Sequence, residues 1–230
     1  MNGKVGENAY AADFVRRMDF SGCSSLLDVG CGTGAIALMA APRLEEVIGL
    51  DYSPRMLELL MERARDLGFT HVRAIRRAWE DDWSDVPECD IVVASRSTLV
   101  ADMGDALTKL STKARRRVYL TSRVRGGSVD PEVLSAIGRA VPPPVPDYIY
   151  VLNILHGRGI HPTLDYIESG GRPTAEPSVE GLADRIAWAL DELSEEEKVA
   201  LAAWFAADPE RAPRSDEPPR WAFISWEAGQ

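Results

Sequence analysis

The sequence predicts an α/β fold, a doubly wound and mainly parallel sheet of seven strands with helices on both faces. Three observations predict it. Short apolar runs alternate with helical patterns along most of the 230 residues. The first of those runs ends in a glycine-rich loop that opens directly onto a helix. Hydrophobic residues make up 45% of the chain, enough to build one core. The length suits a single domain over 1–230 rather than two.

Each element has its own local signal. Residues 8–18 put Ala11, Phe14, Val15 and Met18 on one helical face. SSLLDVG gives a buried strand near 25–29, and AIALMAAPRL a helix that stops near Pro42. EVIGLD at 46–51 is the second strand. The helix from Ser53 to Gly68 has an N-cap serine, a proline in its first turn and a glycine at its end. HVRAIRR (71–77), CDIVVAS (89–95) and RRVYLTSRV (116–124) are strands three to five, with the helix MGDALTKLSTKA between the last two.

At Gly126 the alternation breaks. A short helix over DPEVLSAIGRAV, a stiff PPPVP connector and a helix over DYIYVLNILHGRG lead to a sixth strand at 161–169. Residues 126–162 are therefore the segment expected to form a lid. SVEGLADRIAWALDEL and SEEEKVALAAWFA are two further helices, the second opening with Ser194 and Glu197 at capping-box spacing. RWAFISWEA (220–228) alternates like a strand exposed on one side.

Composition narrows the function. With 26 basic and 36 acidic residues the formal charge is −10, which argues against nucleic acid as the main partner. Cys23, Cys31 and Cys89 lack the paired spacing of a zinc site or a disulfide framework, which fits a reduced cytoplasmic compartment. The charged first twenty residues do not resemble a signal peptide, and no run of eighteen apolar residues predicts a membrane span.

The sharpest signal is LLDVGCGTGAIAL, residues 26–38. Gly30, Gly32 and Gly34 permit positive φ and let a ligand approach the backbone. Seventeen residues after Gly34 the second strand ends in Asp51, placed to accept hydrogen bonds from a ribose diol. A dinucleotide fingerprint is also met, by Gly30, Gly32 and Ala35. Asp28 discriminates: a carboxylate beside the loop repels a pyrophosphate and suits a ligand carrying an ammonium and a sulfonium. A nicotinamide dinucleotide is therefore disfavoured.

The run LLDVGCGTG closely resembles the first motif of the class I S-adenosylmethionine-dependent methyltransferases. GLDYSPRML (49–57), RAWEDDW (77–83) and CDIVVAS (89–95) extend the resemblance in the expected order, over residues 20–125. It implies a Rossmann-like methyltransferase fold with S-adenosylmethionine as cofactor, and a last strand inserted antiparallel beside the fifth. Asp28, Gly30, Gly32 and Gly34 would hold the methionine part, and Asp51 the ribose hydroxyls. Tyr52 and Met56 would lie near the adenine, whose edge Trp79 and Glu80 would read. Arg77 and Ala78 replace the commoner glycine–aspartate pair there, leaving Asp81 as the rival acid to Glu80. Ser95 would sit under the sulfonium.

Methyl transfer from a sulfonium is a direct displacement, so in-line positioning in a dry site supplies much of the acceleration. A base is needed only when the acceptor must lose a proton. The stretch ASRSTL after the fourth strand is not the motif of exocyclic-amine methylases, and no proline–cysteine pair offers the nucleophile for base-carbon methylation. The acceptor is therefore expected to be a small molecule methylated on oxygen or nitrogen, with a protein side chain as the runner-up. Arg96, Arg123 and Arg125 follow strands whose carboxyl ends hold ligands in such folds, and suit an anionic acceptor unless surface acids occupy them. Tyr150, His156 and His161 are the candidate catalytic groups from the lid segment. With no third ligand beside the histidines, no metal is expected. Tyr10 is a candidate to close the acceptor site from the first helix. Two alternatives stand: a non-catalytic S-adenosylmethionine-binding protein, and an NAD-dependent oxidoreductase.

Overall fold

In a computed structural model, which describes residues 3–124, 129–141, 147–168, 178–208 and 220–229, the predicted alternation becomes one seven-stranded sheet. Helix α1 (Gly3–Arg16) leads in, and Phe14, Val15 and the following Met18 are buried against Leu26, so the predicted apolar face is the one that packs. Strand β1 (Ser25–Val29) is buried at all five positions, as a strand covered on both faces must be. The helix expected over 35–44 is shorter: α2 (Ala37–Ala40) makes one turn and a 3-10 turn, Ala41–Arg43, ends it. Pro42 has no N–H to continue an α-helical ladder, and the final turn tightens as Leu44 N donates to Ala41 O at 3.2 Å.

Strand β2 (Glu46–Asp51) leads to α3 (Pro54–Asp66), capped as predicted: the Ser53 side chain accepts from Met56 N, and Gly68 takes φ 75° at the end. Then follow β3 (Val72–Arg76), β4 (Cys89–Ala94), α4 (Met103–Lys113), β5 (Ala114–Arg123), α5 (Pro131–Ala136), α6 (Tyr148–Gly157), β6 (Thr163–Glu168), α7 (Val179–Ala189), α8 (Glu195–Ala207) and β7 (Arg220–Glu227). The sheet order is β3-β2-β1-β4-β5-β7-β6. Strands β1 to β5 pair in parallel, while β7 runs antiparallel to both β5 and β6. Helices α1, α2 and α3 cover one face with Leu26, Val47 and Val93; α4 and α6 cover the other with Leu27, Ile48 and Val92. The strand order reverses between β1 and β4, and such a switch point opens a crevice at the carboxyl ends of the strands.

Two expectations change. Strand β7 is not exposed on one side: it lies between β5 and β6, and Ala222, Phe223 and Ile224 are buried in succession. The described residues of the segment 126–162 divide between two places. Helix α6 buries Val151 and Leu155 in the sheet core, while 126–128 and 142–146 fall outside the described residues. Helix α5 instead joins α7 and α8 around Val133, Leu134, Ile137, Leu182, Ile186 and Leu201, a separate apolar cluster. Arg139 fastens it, with Nε donating to Glu197 Oε1 at 2.5 Å and Nη2 to Glu197 Oε2 at 3.0 Å. Helix α5 follows β5 in the chain and α7 follows β6, and the carboxyl ends of both strands lie at the edge where the crevice opens.

Candidate active site

At the carboxyl end of β1 the chain turns through Gly30, Gly32 and Gly34 with φ of 66°, 52° and 83°. A Cβ on Gly30 would fall 2.3 Å from Ser97 Cβ, and one on Gly34 2.3 Å from Leu60 Cδ1; at Gly32 nothing lies within 4 Å. The outer glycines thus let the loop lie on the protein, and the middle one faces open space. Backbone amides of Gly30 and Cys31 donate to Leu50 O at 2.7 and 3.1 Å. Arg63 Nη1 donates to both Thr33 O and Thr33 Oγ1 at 2.8 Å, fixing the loop from α3.

Two acids flank this loop. Asp28 is 2% exposed, and its Oδ2 accepts one bond, from Ala37 N at 3.1 Å. Burial, opposed by that amide and reinforced by the charge of Asp51, pushes its carboxyl up to about 7. Asp51 accepts from Gly32 N and Ser53 N, each at 2.9 Å, which aims it along the loop. Burial also drives the Cys31 thiol far above the usual range, so it is a loop filler rather than a nucleophile. Tyr52 and Met56, just past Asp51, are 72% and 37% exposed. Asp81 Oδ2 is engaged by Ala78 N at 2.7 Å, whereas Glu80 is exposed with no hydrogen bond among the described residues. Trp79 donates its indole N–H to Ser97 O at 2.9 Å and stacks on Trp83. A buried carboxyl short of donors, an open glycine and exposed flat apolar surface fit one ligand: a cationic amino group, a diol and a heterocycle joined in a row.

Beyond β4 the chain makes a sharp turn pinned from several sides. Tyr10 Oη lies 3.0 Å from Ser95 Oγ and 2.9 Å from Thr121 Oγ1. Arg96 N donates to Thr121 Oγ1 at 3.0 Å, and Ser97 Oγ to Val29 O at 2.7 Å. Tyr10 is buried, so it supports this turn from below rather than closing the site as a wall; burial raises its phenol above the ordinary value. The Arg96 guanidinium sits 4.2 Å from the Tyr10 ring centroid, and that of Arg123 sits 5.8 Å from the Trp221 ring. Arg125 lies outside the described residues.

Two of the candidate catalytic groups, His156 and His161, lie elsewhere. His156 and His161 are exposed neighbours, with ring centroids 5.5 Å apart. Strand β6 begins at Thr163 opposite Ser225, at the amino ends of the parallel strands beside Arg117 and Glu227. Residues 158–162 lead from the end of α6 to the start of β6, and Arg158 Nη2 donates to Gly104 O, at the start of α4, at 2.8 Å. A six-residue strand separates the two edges by about 20 Å. Tyr150 is half exposed on α6, off the face that buries Val151 and Leu155, and makes no hydrogen bond to the network. Sequence patterns pass over Thr121, Ser97 and Arg63. Only the polar pair Thr121–Ser122 near the end of an apolar strand signals the first.

A family profile described as a methyltransferase domain matches residues 26–118. An uncharacterised protein of Haemophilus influenzae is 38% identical over 234 residues, covering 97% of this chain and 85% of its own. An uncharacterised RNA methyltransferase of Nitratidesulfovibrio vulgaris is 31% identical over 115 residues, 46% of this chain and 24% of its own. Among solved structures, geranyl diphosphate methyltransferase in complex with S-adenosylmethionine superposes with a TM-score of 0.59 at 18% identity, over 96% of this chain and 84% of that one.

Proposed function

The chain belongs to the class I S-adenosylmethionine-dependent methyltransferases, and we propose that it methylates an oxygen or nitrogen of a small-molecule acceptor. It is an enzyme of that family, and S-adenosylmethionine is its cofactor. The observation that carries the choice of acceptor is the gathering of the glycine loop and the turn after β4 at one strand edge. The glycine loop meets the turn after β4 there through Ser97 Oγ and Val29 O, and α5 and α7 follow β5 and β6, which end at the same edge; a small molecule suits such a site better than a polymer. The charge of −10 disfavours a nucleic-acid phosphate backbone. The likeness to an RNA methyltransferase stays within 46% of this chain. No helix among the described residues is long and apolar enough to cross a membrane. In this reading residues 1–230 form a single methyltransferase domain.

In this reading Asp28 and the amides of the glycine loop hold the methionine part, and Asp51 the ribose. Tyr52, Met56, Trp79 and Glu80 surround the adenine, with Ser95 at the end of β4 facing the reacting carbon. When bound, the cofactor supplies a methyl carbon on a positively charged sulfur, ready for displacement. The protein's own contribution is position: the Tyr10 hydroxyl ties α1 to Ser95 after β4 and to Thr121 in β5, and so fixes Ser95. In this reading His156 and His161, beside the start of β6, are not the base for the acceptor. That arrangement suits an acceptor atom already nucleophilic on arrival.

Calorimetric titration with S-adenosylhomocysteine tests the cofactor half. Wild type is expected to bind at micromolar Kd, and Asp51→Ala about tenfold to a hundredfold more weakly, as the loss of charged hydrogen bonds requires. Incubation of the loaded enzyme with fractionated small metabolites and with RNA then reads the acceptor. Methylated RNA with unmodified metabolites would overturn the small-molecule proposal.

A further inference from the structure

Arg96 is the one residue other than glycine, among those described, with positive φ, at 56°. Left-handed backbone costs a residue with a Cβ about 1–2 kcal/mol, and glycine would occupy it without that cost. The conformation is held by the Arg96 N bond to Thr121 Oγ1, by Ser97 against the glycine loop, and by Thr98 Oγ1 donating to Thr121 O at 3.3 Å. A strained position that keeps a long charged side chain points to a use for that side chain.

The guanidinium also has no acid partner among the described residues. The chain has 36 acidic residues against 26 basic, and Arg17, Arg73, Arg117 and Arg139 each pair with a carboxylate. Arg96 and Arg123 have no carboxylate partner among the described residues and lie over aromatic rings instead. Those rings touch, Trp221 meeting Tyr10 edge-on at 6.4 Å between centroids. Trp221 Nε1 is a buried donor with no acceptor. The Arg96–Tyr10–Trp221–Arg123 row thus holds two uncompensated cations and a spare donor, one residue from Ser95 and beside the cofactor loop.

Resting on the methyltransferase reading of this edge, we propose that Arg96 is the acceptor-binding residue and selects acceptors bearing a carboxylate or a phosphate ester. Tyr10 is its platform, holding the guanidinium plane in place so that its paired N–H groups meet two anionic oxygens with little loss of side-chain freedom. Arg123 adds a second positive charge at the same edge. The shared chemistry is a planar or tetrahedral oxyanion, and its source is left to the probes below.

The test titrates benzoate, phenyl phosphate and the neutral benzyl alcohol into the protein with and without S-adenosylhomocysteine. One anion or both should bind at least about tenfold tighter than the alcohol, and the tighter one identifies carboxylate or phosphate. Arg96→Gly relieves the backbone strain, so its Tm should equal or exceed that of wild type while anion affinity falls by roughly tenfold or more. Arg96→Lys should fall between, keeping charge and losing the fork. Equal binding of alcohol and anions, no binding of either anion, or anion affinity unchanged in Arg96→Gly would each overturn the proposal. Anion binding that needs Arg96 in a protein that ignores S-adenosylhomocysteine would sink the cofactor reading and leave the anion site standing.

Discussion

A carboxyl group buried at the end of a central strand must be neutral or paired, and Asp28 has one backbone donor and no cation. Its folded value of about 7 lies above the unfolded value of 3.8, so folding favours the protonated acid. The associated stability is complete below the unfolded value, declines as pH rises, and is gone once pH passes the folded value. Between pH 5 and 8 the ligand-free protein should lose on the order of 2–3 kcal/mol through this group. Asp28→Asn, whose side-chain oxygen still accepts from Ala37 N, should remove that slope. Thermal unfolding across this range checks it: the wild type falls relative to the variant as pH rises, and parallel curves would refute the assignment. At pH 8 S-adenosylhomocysteine should raise the wild-type Tm and leave the variant's nearly unchanged. Asp28 is legible in the sequence because an acid in an apolar strand stands out locally. Tyr10 is legible only as an aromatic residue, since its partners Ser95 and Thr121 lie 85 and 111 residues away and no local pattern encodes them.

Among the elements, ends are easier to read than exposure. The Ser53 cap, Pro54 and Gly68 bracket α3 as predicted, and the capping box of α8 is closed by Glu197 N to Ser194 Oγ at 3.2 Å and Ser194 N to Glu197 Oε2 at 2.8 Å. Caps are local chemistry. Strand β7 misleads because alternation of large and small residues in RWAFISWE imitates alternation of buried and exposed ones. The cap is hidden because α5 and its partners α7 and α8 are separated in sequence by α6 and β6, which belong to the sheet. One side chain gives access to this assembly. The Arg139 hydrogen bonds, with the Ser194 amide second, hold the Glu197 carboxyl down at about 2, below its ordinary 4.5. The pair's contribution is present above the ordinary value and lost as pH falls toward 2. Arg139→Ala should therefore loosen α5 from α8 at neutral pH. Hydrogen exchange should become several-fold faster over 131–136 and 195–207 while β1 and β4 keep their protection. Uniform loss of protection across the sheet would show that the cap is not a separable unit.

For the molecule as a whole, strand–helix alternation makes the doubly wound sheet legible, and the likeness to a known family supplies the antiparallel place of β7. What neither supplies is the division between a sheet that binds cofactor and a cap that is built on it. The register of β6 and β7 offers a direct way to separate them. Glu168 faces Arg220 across an antiparallel pair, so the two strands can be joined by a two-residue Asn-Gly turn in place of 169–219. Removing α7 and α8 uncovers the apolar side of α5, so Val133, Leu134 and Ile137 must become polar in the same chain. The core beneath Leu26, Leu27, Ile91 and Val92 is untouched by these changes. The shortened protein should unfold cooperatively, with a smaller denaturant slope because less surface is exposed on unfolding. It should bind S-adenosylhomocysteine within about fivefold of wild type, a difference below roughly 1 kcal/mol. Turnover of any acceptor found for the full chain should fall much further, because the cap alone is removed. Loss of S-adenosylhomocysteine binding in a cooperatively folded shortened chain would mean that the cap completes the cofactor site, and the separation of sheet from cap would then be wrong.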